Sequence, residues 1–346
     1  MSYNTHQHGG QLHAASKQYR IPLEGWLDLS TGISPYTYPL PAVPIVCWQR
    51  LPESDDGLET AATNYYGSEF LLPVSGSQEA IQSLPSLFSN KQCVGIINPA
   101  YHSHQQAWQD AGHEIIALNS NEIDAKIGTL EILIIVNPTN PSAELFTPEA
   151  LHNWHQQLKQ RGGMLIVDEA FIDATPEYSL IKEKPEEGLI VLRSIGKFFG
   201  LAGMRLGFIW AEDKILKQLA HQQNDWSVSH PARWAGKIAL QDKAWQQEQK
   251  AFLPTESLRL VELLEELIFT RPCKCGGVYF NTTNNHVQRT ALFAFFRHPH
   301  AKKLHQQLAQ KGILTRYFDC PALRFGLPAG EQQWKQLEQA LDSLKL

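Results

Sequence analysis

Only five cysteines, Cys47, Cys93, Cys273, Cys275 and Cys320, occur in the 346 residues. So few thiols, in odd number, exclude a disulfide framework and fit a reducing, cytoplasmic setting. Basic excess is missing too. Thirty Lys and Arg against 35 Asp and Glu leave a formal net charge of −5, without the positive footprint of a nucleic-acid-binding protein. The longest apolar runs, such as Ile132–Val136, are strand-length, far below the roughly 18 residues of a membrane span. Residues 1–10 are polar and His-rich, with neither the apolar segment of a secretory signal nor the arginines of a transit peptide, so no export is expected. No internal repeat, low-complexity tract or charge block is visible.

What is present suits a globular enzyme: 43% hydrophobic and 19% charged residues, in a chain long enough for two domains or one large α/β unit. Seven short apolar runs, at residues 71–74, 93–97, 114–118, 132–136, 164–167, 189–192 and 206–210, alternate with helical patterns. Continuous apolar strands separated by helices predict a mainly parallel sheet covered on both faces. Thr147, Pro148 and Glu149 open one of the helices as N-cap, first-turn proline and early acid, and Gly162-Gly163 closes it. Past residue 229, amphipathic helices are expected over 232–249 and 255–269. Short strands near 278–280, 313–315 and 323–325 and helices over 302–310 and 330–344 then follow. The expected organisation is an α/β fold with a large domain over residues 35–228. A smaller α+β domain is expected from residues 1–34 and 229–346.

In an open parallel sheet, ligands gather at the carboxyl ends of strands. Four motifs lie there. Ser75-Gly76-Ser77-Gln78 follows the first strand and offers backbone N–H groups and a hydroxyl to an anion, or is simply a helix cap. Asn137-Pro138-Thr139-Asn140-Pro141 follows the most apolar strand, either as a rigid holder of amide side chains or as a plain Asx/Pro turn. Asp168-Glu169 ends the next strand; a carboxylate buried there requires a cation or donor, whereas many strand-end acids face solvent. Lys197 sits between Ser194 and Arg205 in an apolar, glycine-punctuated loop. Phe198, Phe199 and Leu201 would desolvate its amine and make it a nucleophile near neutral pH. A phosphate-binding P-loop is excluded, because Phe198 stands where Ser or Thr is needed and Val191 where the first glycine is needed.

An anion turn, a rigid amide, a strand-end carboxylate, a desolvated lysine and an arginine together match the needs of pyridoxal 5′-phosphate. A metal site is not expected. The histidine pairs His6/His8, His102/His104 and His298/His300 are each spaced by two, unlike a helical chelate, and Cys273-Lys274-Cys275 lacks a second thiol pair.

These motifs, in this order, resemble the fold-type I pyridoxal-phosphate enzymes of the class I/II aminotransferase family, in the histidinol-phosphate aminotransferase branch, over essentially the whole chain. His8-Gly9-Gly10, Trp26-Leu27-Asp28-Leu29-Ser30-Thr31-Gly32-Ile33, Arg193-Ser194, Trp226-Ser227-Val228 and Leu323-Arg324-Phe325-Gly326 are most similar to the threonine-phosphate decarboxylases of cobalamin biosynthesis. The resemblance implies a homodimer acting on a small phosphorylated amino acid, with no nucleic acid or membrane partner. It implies that Lys197 forms the Schiff base with the cofactor, Asp168 pairs with the ring nitrogen and Asn140 bonds the ring hydroxyl. Gly76, Ser77, Gln78, Ser194 and Arg205 would hold the cofactor phosphate, and Tyr101 would stack on the ring. Arg324 would take the substrate carboxylate, with Arg316 and His8 available for a substrate phosphate. Phe171 stands where histidinol-phosphate aminotransferases carry a tyrosine, and Leu51-Pro52-Glu53 where they carry Tyr-Pro-Asp; both departures favour decarboxylation. Whether carbon dioxide leaves or an amine is transferred depends on a torsion at the substrate's Cα, so both reactions stay open at this point. A pyridoxal-phosphate-binding regulator without turnover is disfavoured, because no DNA-binding domain is attached.

Overall fold

The computed structural model describes residues 8–269 and 287–344. The expected strand at 278–280, the Cys273-Lys274-Cys275 turn and His6 lie outside the described residues. The chain divides into two compact units, residues 37–250 and residues 1–36 with 251–346.

The larger unit is built on a seven-stranded sheet: β1 (Leu71–Val74), β2 (Cys93–Ile97), β3 (Glu114–Leu118), β4 (Ile132–Val136), β5 (Met164–Asp168), β6 (Leu189–Ser194) and β7 (Gly207–Trp210). Their spatial order is β1-β7-β6-β5-β4-β2-β3. Only β7 runs against the rest, pairing antiparallel with β1 and β6. Residues of one strand point alternately to two faces. Accordingly Ile132, Ile134, Ile166 and Ile190 enter one buried cluster, while Leu133, Ile135, Leu165 and Val191 enter another. Helices cover both, which is why the strands read as unbroken apolar runs.

The helix Pro148–Lys159 begins where expected. Thr147 caps it by accepting the Ala150 N–H at 3.2 Å, and Leu151, Trp154, His155 and Leu158 form its buried stripe.

Two expectations differ from the structure. The larger unit runs to Lys250 rather than 228, because helix His230–Gln241 packs against helix Leu58–Tyr66 within it. Arg233 fastens the two, its Nε 2.7 Å from Asp56 Oδ2 and its Nη2 2.7 Å from Glu59 Oε1. The break expected between residues 249 and 255 is also absent: one helix spans Lys243–Leu264 with Pro254 inside it. The interruption falls instead at Asp242, whose Oδ1 accepts the Trp245 N–H at 3.0 Å and so caps the second helix.

The smaller unit carries a four-stranded sheet in which Arg316–Phe318, Ala322–Gly326, Phe293–Arg297 and Val287–Arg289 are successive neighbours. Leu27–Asp28 pairs in parallel with Ile313–Leu314. Helices Ala301–Ala309 and Gly330–Asp342 correspond to those expected. No described helix is long and apolar enough to cross a membrane.

Candidate active site

In the larger unit the residues singled out from the sequence collect along one edge of the sheet. Gly76, Ser77 and Gln78 follow β1, Tyr101 follows β2, Asn140 follows β4, Asp168 ends β5, and Ser194 ends β6 just before Lys197. Because β7 is reversed, Arg205 at its start lies along the same edge.

Asp168 is buried. Its Oδ2 lies 2.9 Å from His104 Nε2, and its Oδ1 accepts the Ala170 N–H at 3.0 Å. A strand-end carboxylate withdrawn from water in this way is held by fixed donors, so its remaining acceptor capacity is aimed rather than mobile. His104 is the functional neighbour that sequence reasoning missed. In the sequence it stands only as half of the His102/His104 pair, and its partner lies 64 residues away. The one available signal was that a buried strand-end acid requires a donor.

The Asn140 loop is rigid. Asn137 accepts the Phe146 N–H at 2.9 Å and donates to the Phe146 carbonyl at 3.2 Å, and the Thr139 N–H donates to the Glu144 carbonyl at 2.7 Å. The Lys197 Nζ stands 5.5 Å from the centre of the Phe171 ring, so an apolar aromatic face without a hydroxyl lies beside the amine. Tyr101 donates its hydroxyl to Gln78 Oε1 at 3.0 Å, tying the second motif to the first.

Whether the site fits a phosphorylated cofactor can be tested at Gly76. Its φ is +78°, and a Cβ there would stand 2.5 Å from Arg205 Nη2. Glycine alone lets the guanidinium lie against this turn. Gly207 repeats the point, since a Cβ on it would meet the Ser77 nitrogen at 2.8 Å. A hydroxyl, backbone N–H groups at the start of helix Ser77–Ser83 and a close guanidinium form a cradle that fits a phosphate.

A buried ionic network lies next to this edge. Arg193 reaches Glu169 Oε2 at 3.0 Å and also bonds Asp173 Oδ1, while Tyr65 donates to the same Asp173 oxygen at 3.0 Å. Burial opposes the Arg193 charge, but Asp173, Tyr66 and Glu169 outweigh it and hold the guanidinium above its ordinary pKa. Glu169 is raised by desolvation, against the pull of Arg193.

In the smaller unit, Arg316 and Arg324 are cross-strand partners in an antiparallel pair. Like charges placed opposite one another are unfavourable unless an anion joins them. Arg324 is buried and donates from Nη2 to the Ser30 carbonyl at 2.7 Å. Arg316 lines a cavity of about 400 Å³ together with His8, Ser30, Lys302 and His305. Among the described residues, none that lines this cavity is acidic.

The family model for aminotransferase class I and II matches residues 50–344. A threonine-phosphate decarboxylase from Pseudomonas aeruginosa is 46% identical over 340 residues, covering 98% of each chain. A second, from Sinorhizobium sp, is 36% identical over 98% of each. Among solved structures, the histidinol-phosphate aminotransferase of Sinorhizobium meliloti in complex with pyridoxal-5′-phosphate superimposes with a TM-score of 0.76 at 16% identity. That match covers 95% of this chain and 93% of the other.

Proposed function

This chain belongs to the class I and II aminotransferase family, and we propose that it is a pyridoxal-phosphate-dependent lyase that decarboxylates L-threonine O-3-phosphate. The observation that carries this reading is 46% identity to a threonine-phosphate decarboxylase over 98% of both chains. The fold is that of the fold-type I pyridoxal-phosphate enzymes. The product would be (R)-1-amino-2-propanol phosphate, the cobalamin precursor that the resemblance implies.

When bound, pyridoxal 5′-phosphate supplies an electron sink for the pair of electrons left at the substrate's Cα. In this reading Lys197 would hold the cofactor covalently, and its Nζ amine would carry the proton that takes the place of the lost carboxyl group at the substrate's Cα. Asp168, oriented by His104, keeps the proton on the ring nitrogen. Asn140 bonds the ring hydroxyl and Tyr101 stacks on the ring. The phosphate is held by Gly76, Ser77, Gln78, Ser194 and Arg205. Arg324 takes the substrate carboxylate, with Arg316 and His8 taking its phosphate. Gripping both ends of the substrate would fix the torsion at Cα, on which the choice between losing carbon dioxide and transferring an amine depends.

A cytoplasmic homodimer completes the proposal. Ile45, Val46, Trp48 and Leu51 are exposed apolar side chains within one short stretch of the larger unit, a surface that a second copy of the chain would cover. The test of the reaction is incubation with threonine phosphate, measuring carbon dioxide against keto-acid-dependent amine transfer. Stoichiometric carbon dioxide is expected; amine transfer without it would reject the lyase in favour of an aminotransferase.

A further inference from the structure

We propose that His152, His155 and Glu186 form a binding site for a divalent transition-metal ion of the zinc class, apart from the site of the reaction. His152 and His155 lie three residues apart on helix Pro148–Lys159, and Glu186 belongs to the segment that leads into β6. His152 Nδ1 stands 3.7 Å from Glu186 Oε1, and His155 Nδ1 stands 3.9 Å from Glu186 Oε2. The three donor atoms all fall within 4.8 Å of one another. These separations exceed hydrogen bonds, so the groups converge without satisfying each other. Ligand bonds of 2.0–2.2 Å put the donor atoms of a tetrahedral zinc about 3.4 Å apart. Small side-chain movements would therefore close the site.

The second, independent observation is the state of His155. Its side chain is fully buried, and its Nε2 lies 2.8 Å from the Glu187 carbonyl. That bond places the proton on Nε2 and leaves a lone pair on Nδ1. Nδ1 is buried without a hydrogen-bond partner. A ring that donates one N–H to a backbone carbonyl and aims the other nitrogen at a gap has the outer-shell arrangement of metal-bound histidines. Gln156 donates to Glu186 Oε2 at 3.0 Å and steadies the carboxylate. Lys182, 3.5 Å from Glu186 Oε1, has a mostly exposed side chain that can swing aside.

Two nitrogens and one carboxylate oxygen leave a fourth position for water, and suit zinc, copper or nickel rather than magnesium or calcium. The ion would pin the helix to the segment preceding the strand that ends beside Lys197. Sequence reading passed over the site because its third ligand is remote and its histidines are spaced by three.

The test is equilibrium dialysis of the chelator-treated holoenzyme against zinc, with metal content measured in the wild type, His152→Ala and Glu186→Gln. Equimolar zinc is expected in the wild type, with binding weakened at least ~10-fold in each variant and decarboxylation by the zinc-free variants unchanged. His152 is at the surface, so its loss should leave folding intact, as a thermal melt would verify. Zinc retained undiminished by both variants would place it elsewhere, and no equimolar zinc in the wild type would overturn the proposal outright.

Discussion

His104 Nε2 lies 2.9 Å from Asp168 Oδ2, and both side chains are buried. A helix that follows one strand thus positions the carboxylate at the end of another. Replacing His104 by Ala would leave a buried acceptor without its donor. A hydrogen bond to a charged group contributes about 1.5–3 kcal/mol, so pyridoxal phosphate should be retained roughly ten- to hundred-fold more weakly. Dialysis against graded cofactor, followed by its absorption, measures this. Unchanged retention would remove His104 from any part in positioning Asp168.

Arg193 compensates two buried carboxylates, Glu169 and Asp173. Arg193→Met should therefore destabilise the protein by about 3–5 kcal/mol, the cost of stranding buried charge. Denaturant midpoints give the loss. The triple variant with Glu169→Gln and Asp173→Asn should recover much of it, whereas additive losses would contradict the network.

His298 supplies a pH dependence. Burial first, and the nearby His300 second, lower its pKa from 6.5 to about 4, and its Nδ1 accepts the His300 N–H at 3.1 Å. A folded-state pKa below the unfolded value means that stability from this group is fully present above pH 6.5 and is lost as pH falls towards about 4. Asparagine can accept the same N–H without titrating. Melting temperatures across this window should fall less steeply for His298→Asn than for the wild type; parallel curves would exclude His298 as a source of acid sensitivity.

The seven-stranded sheet was legible in the sequence because its inner strands, such as Ile132–Val136 and Leu189–Ser194, are buried on both faces, and burial wrote their apolar runs. Helix Pro148–Lys159 was legible because its cap is local. The helix break was not: a proline inside a packed helix removes one backbone bond without ending the helix, as at Pro254, and Asp242 made the break by capping the next helix. The chemistry-bearing motifs were visible as types at strand ends. Their partners were not, since His104 and Asp168, Arg193 and Asp173, and Arg316 and Arg324 meet only through strand order and register.

Arg316 and Arg324 can be told apart with the product of the reaction, which keeps the phosphate and lacks the carboxylate. Arg316→Gln should weaken product inhibition at least ~10-fold, as expected for loss of a charge-assisted pair. Arg324→Gln should leave product inhibition nearly unchanged while raising KM for threonine phosphate. Equal effects of the two substitutions on product inhibition would overturn this division of labour.

The proposed function rests on the amine of Lys197 being the covalent seat of the cofactor. Borohydride reduction of the cofactor-saturated protein, followed by peptide mapping, tests it directly. The reduced adduct should be found on Lys197 with loss of the visible colour; a cofactor-saturated protein colourless before reduction, or an adduct on another lysine, would rule out Lys197 as that seat.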